Sequence, residues 1–174
     1  MSTRAILLEQ ISNLLGESID IDKVNAVPLK LNNRTTFVYG EYEYGMLIQS
    51  IGEGNKHIFP NSFTLPPRME GYYNFGFDLE GKTTVQEPKS YKELAKPLSI
   101  VAKSLFVWIQ QNNPSMITIF ADSDNAEEKT KKINMYGSIL YRERNTLNNM
   151  GYTWDFFNSP VLGKSIYIKK QPNI

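Results

Sequence analysis

Asp122 and Asp124 close the segment SMITIFADSDN (115–125), an apolar run that ends in carboxylates and leads into a basic helical pattern. Two carboxylates just past a central strand could hold a cation or serve as a general base, because open α/β sheets bind ligands beyond their strand ends. The same residues suit helix capping. Asp and Asn side chains accept from the free N–H groups of a first turn, and acidic groups favour the positive end of the helix dipole. Glu127 and Glu128 fit that turn equally well, and no further acidic or histidine cluster joins the pair. The pattern favours caps, and no metal is expected.

The other reactive side chains are scattered. His57 is the single histidine, so any serine–histidine–aspartate triad would need it. It stands beside Ile58 and Phe59 in an irregular segment, and no G-x-S-x-G elbow exists. The chain has no cysteine, which removes thiol nucleophiles, thiolate metal ligands and disulfides together. Lys129, Lys131, Lys132, Arg142 and Arg144 make one helix basic and could meet phosphates. A formal net charge of +1 supplies no whole-protein field for nucleic acid. A solvated helix face is therefore expected, with Glu128 and Lys132 one turn apart as a supporting pair.

The elements that must position these groups follow from periodicity. In residues 3–15, Ile6, Leu7, Ile11, Leu14 and Leu15 recur at helical spacing, with Gly16 after them. From Thr35 the period becomes two: TTFVYG and YEYGMLIQSI read as strands joined near Gly40–Glu43. GYYNFGFDL (71–79) is a third strand, whose Tyr73, Phe75, Phe77 and Leu79 make a core face. A helix over 94–112 carries the stripe Leu94, Leu98, Val101, Leu105, Trp108 and Ile109, with Pro97 expected in its first turn. MITIFA reads as a central strand covered on both faces. One helix over 125–150 follows, with Ile133, Tyr136, Ile139, Leu140, Leu147 and Met150 inward, and Gly151 ends it. The strands YTWDFF and KSIYIKK close the chain as a hairpin.

Residues 52–71 (GEGNKHIFPNSFTLPPRMEG) form a long irregular connection. Such loops are usually functional or mobile. Ile58, Phe59, Phe63, Leu65 and Met69 are its apolar residues, and two readings stay open for them. They fold back as a lid on the domain, or they form an adhesive patch for another chain. Trp154, Phe156 and Phe157 could extend such a patch, although sheet core is their ordinary role.

The 174 residues, 41% hydrophobic and 21% charged, fit one domain over 1–174. The first residues lack the continuous apolar stretch of a signal peptide, and no apolar run approaches the ~20 residues that span a bilayer. A soluble chain that avoids membranes is expected. The fold class is α+β, a mixed and mainly antiparallel sheet with helices on both sides.

The element order, with YYNFGFDL, the helix 94–112, MITIFA, the helix 125–150 and YTWDFF in succession, resembles the GNAT (N-acetyltransferase) family over most of the chain. That resemblance implies acetyl-CoA as cofactor and N-acetyl transfer as the activity. The family's Q/R-x-x-G-x-G/A turn, whose backbone N–H groups cradle pyrophosphate, falls here on Lys82–Pro97, which contains no glycine and includes Glu87 and Glu93. The family's general-acid tyrosine opens a Y-x-x-x-G-F motif. Met150-Gly151-Tyr152 is similar to its end, but Tyr136 and Tyr141 lie too far upstream for that spacing, and Tyr141 is the nearer. No catalytic residue is carried over.

A second resemblance lies in YNFGFDLEG, in the I-x-I-F-A-D start of 117–122, and in Lys131-Lys-Ile-Asn-Met-Tyr136-Gly-Ser-Ile-Leu140. Across about the last 100 residues these are similar to small uncharacterised proteins of tailed bacteriophages. The expectation is a phage protein without catalysis that acts through protein–protein contacts, as a virion or assembly component, an accessory factor, or an inhibitor of a host protein. Its partner would be another phage or host protein, with self-association open, and its place the host cytoplasm or the virion. The alternative is an acetyl-CoA-dependent N-acetyltransferase.

Overall fold

The computed structural model describes residues 21–40, 42–80, 91–121 and 125–172. The helix expected at 3–15, most of the Lys82–Pro97 segment, and Asp122 and Asp124 lie outside them. Six strands form one sheet: β1 (Thr35–Tyr39), β2 (Tyr42–Ser50), β3 (Tyr72–Glu80), β4 (Met116–Ile119), β5 (Tyr152–Ser159) and β6 (Gly163–Lys170). Their spatial order is β1-β2-β3-β4-β6-β5. Only β3 and β4 run parallel; every other neighbouring pair is antiparallel. The parallel pair requires a long crossover, and α1 (Tyr91–Asn112) lies within it. Helices α2 (Ala126–Arg142) and α3 (Arg144–Asn149) lie between β4 and β5. The α+β class with a mixed, mainly antiparallel sheet is as the sequence implied.

Local chemistry fixes the connections. Tyr39 pairs with Tyr42 across a two-residue turn, and Gly40 takes φ +65° there, a conformation that side chains with a Cβ disfavour. At the end of α1, the Asn113 N–H donates to Ile109 O and the Asn112 side chain donates to Trp108 O. Both satisfy carbonyls left open by the helix end, and Pro114 prevents continuation.

Two boundaries differ from the periodic reading. The α1 helix starts at Tyr91, so Pro97 sits in its second turn rather than its first. The expected 125–150 helix is interrupted at Glu143, whose φ/ψ of −98°/17° has left the helical well. Apolar spacing cannot report such a break, since Leu147 remains inward on α3.

The first core lies between the sheet and the described helices. Met46, Ile48, Phe75, Ile117, Ile119, Ile166 and Ile168 meet Leu98, Val101, Leu105 and Ile109 of α1 and Ile133 and Ile139 of α2. Leu147 of α3 joins beside Tyr152 and Trp154. The stripes expected for both long helices are thus the buried ones. Helices were expected on both sides of the sheet, but among the described residues they cover one face only. On the opposite face the 52–71 connection packs over the part built by Tyr72, Met116, Phe157 and Tyr167.

Candidate functional site

Three places could carry function: the 52–71 segment, the gap between β3 and β4, and the outer edge of β1.

The 52–71 segment folds back on the sheet. Phe59 and Met69 are buried with Ile51, Met116 and Phe157, and Ile58, Phe63, Leu65, Tyr72, Phe120 and Tyr167 pack around them. Phe59 stacks on Phe157 at 6.1 Å and meets Tyr72 edge-on. Phe63 contacts Phe157 at 5.2 Å and Tyr167 at 5.6 Å. Aromatic pairs of this kind add favourable quadrupole contacts to area burial. The segment is also fastened at its ends. The Ile51 N–H donates to Tyr72 O. Glu53 accepts from the Met69 N–H at 2.8 Å and pairs with Lys56 at 2.9 Å, while Lys56 also donates to Pro67 O. The Lys56 ammonium and then the Met69 N–H hold the Glu53 carboxyl below its ordinary pKa. Of the two readings for Ile58, Phe59, Phe63, Leu65 and Met69, the lid describes their placement. Phe59 and Met69, only 4% and 5% exposed, cannot reach a partner without opening it.

The same face of the sheet carries a hydrogen-bonded polar pair. Gln49, Asn74, Thr118, Tyr167 and Asp155 stand opposite one another across five strands. Thr118, fully buried, donates to Asn74 Oδ1 at 3.2 Å. Buried polar groups of this kind specify register, because a slipped strand would leave them unpaired.

The second place is a gap. Parallel pairing ends at Phe75–Ile119, while β3 continues to Glu80 without β4 beside it. Next to it lies an apolar cavity of about 50 Å³ lined by Phe75, Phe77, Leu105, Ile119, Tyr136 and Leu140, among others. Tyr136, not Tyr141, faces this cavity. Tyr141 instead lies under the Arg144 guanidinium, 4.2 Å from its ring centre.

The remaining candidates are dispersed. His57 is exposed, with Nδ1 3.0 Å from Gly54 O. Lys131 and Arg144 are exposed, Lys129 and Lys132 half-buried, and Arg142 keeps one buried guanidinium nitrogen without a hydrogen-bond partner. Among the described residues no three His, Asp or Glu side chains are grouped to hold a metal, and no helix is long and apolar enough to cross a membrane. Trp154 and Phe156 pack towards the helices and Phe157 towards the lid, so all three serve the sheet.

The third place was not anticipated. Among the described residues four large apolar side chains are exposed: Leu31, Val38, Tyr39 and Val161. Three of them lie along the β1 side of the sheet. Val38 is 70% exposed on β1, beside Tyr39, and Leu31 sits in a turn that meets β2 through the Asn32 N–H to Ile48 O bond. The edge is orderly. Pairing to β2 runs unbroken over all five residues, without a bulge, and Thr35–Tyr39 contains no charge and no proline. The sequence signal was the position of Val38, which alternates away from the Phe37–Tyr39 face.

Against known proteins, the chain matches no family model, no curated protein and no solved structure.

Proposed function

We propose that this protein acts by binding another protein, without catalysis, on a GNAT-like scaffold of the kind tailed bacteriophages encode. The observation that carries the reading is an orderly, uncharged sheet edge, β1, with Val38 and Tyr39 exposed on it and Leu31 exposed in the turn before it. Protected edges carry charge, proline or a bulge, and edges without them pair with other strands. The partner is a protein of the phage or its host, a second copy of the chain included, and the setting is the host cytoplasm or the virion. The strand order with one parallel pair supports the GNAT-like part of the reading. The sequence texture of the last 100 residues supports the phage part.

The gap beyond Phe75–Ile119 favours a second reading, acetyl-CoA-dependent N-acetyl transfer, since a ligand could enter where β3 and β4 part. A calorimetric titration with acetyl-CoA separates the two. The interaction reading expects no heat and no thermal stabilisation at millimolar ligand. Saturable binding displaced by free coenzyme A would overturn it.

A further inference from the structure

We propose that β1 pairs antiparallel with β1 of a second copy, joining two six-stranded sheets about a two-fold axis at Phe37. This rests on the interaction reading above and names the partner. In an antiparallel ladder, residues alternate between those bonded to one neighbour and those directed to the other. Tyr39 and Tyr42 flank a two-residue turn, so Tyr39, Phe37 and Thr35 bond to β2. Thr36 and Val38 then direct their N–H and C=O groups outward. These two residues are complementary to themselves. With the axis at Phe37, Thr36 of each copy faces Val38 of the other, and both pairs exchange two backbone hydrogen bonds.

The side chains agree with that register. Val38 loses its exposed position against the partner's Thr36. On the other face, half-buried Phe37 meets its own symmetry mate, and Tyr39, 40% exposed, meets Thr35. No like charges are opposed in that register, because Thr35–Tyr39 carries no charge of either sign.

Sedimentation equilibrium of the full chain across a concentration series tests the pairing. The wild-type mass rises from one chain to two, and V38K raises the dissociation constant at least about ten-fold. Val38 is exposed, so circular dichroism of V38K matches the wild type, and the two share one Tm at concentrations where both are single chains. The T36C/V38C double variant, in a chain without other cysteines, forms a disulfide-linked dimer on mild oxidation. V38C alone does not, because its mate stands diagonally at about 7–8 Å. A wild-type chain that stays single at every concentration, a dimer unaffected by V38K, or an uncrosslinked double variant overturns the proposal. Failure here is distinct from failure of the interaction reading, which acetyl-CoA binding would overturn.

Discussion

The two faces of the sheet are closed by different means. On one, α1, α2 and α3 lay aliphatic stripes over Ile117, Ile166 and Ile168, all fully buried. On the other, an irregular segment covers the part around Met116, Phe157 and Tyr167 with a few large side chains, Phe59, Phe63 and Met69, and with Glu53 tying its ends together. A helix brings its own backbone hydrogen bonds to the packing surface. A loop must find partners for its N–H and C=O groups elsewhere, which is why this one depends on short turns and on side-chain bonds. The helix-covered face should therefore resist as part of the whole fold, and the loop-covered face should open by itself.

Four substitutions probe that contrast. Ile117→Ala, at a site with no exposure, should cost about 4 kcal/mol of global stability in denaturant titration, because a hole between sheet and helices cannot collapse. Phe59→Ala should cost about 3 kcal/mol, with much of the loss local: amides over 53–69 exchange faster while those of β4 and β6 keep their protection. Equal loss of protection on both faces would contradict the contrast.

Tyr152→Phe tests a tie on the helix side. The hydroxyl donates to Pro114 O at 2.6 Å, holding the start of β5 to the α1–β4 junction, and its loss should cost about 1 kcal/mol. Burial raises the pKa of Tyr152. A raised phenol is stabilising below its ordinary range, and that contribution is lost as pH climbs through the raised value. Alkaline unfolding of Tyr152→Phe should accordingly be shallower than that of the wild type.

Glu53→Ala should have the smallest effect on global unfolding and a clear one on the lid, read as faster exchange of the Met69 amide. The Glu53 carboxyl is held below its ordinary pKa, so its contribution is complete above the ordinary glutamate range and fades as pH falls through the lowered value. Acid should release the lid ends in the wild type and change little in Glu53→Ala.

The difference between faces also explains what the sequence made legible. Helical stripes in α1 and α2 have a period, and MITIFA, whose β4 residues are all buried, showed by its unbroken apolarity that both faces are covered. The 52–71 segment has apolar content but no period, so its residues gave no direction to pack in. Its target was equally hard to read, because Tyr72, Thr118, Phe157 and Tyr167 mix polar and apolar groups on one face. The β1 edge was hidden for another reason. Alternation in TTFVY identifies a strand but not its place in the sheet, and exposure of Val38 follows only from β1 being outermost among the described strands.

The most direct test of the account concerns the amides of Thr36 and Val38. Hydrogen exchange followed by NMR at increasing protein concentration should show these two, with their outward N–H groups, gaining protection while amides of the lid and of β5 do not change. Free exchange of both at every concentration would contradict the claim that the β1 edge is the working surface of this protein.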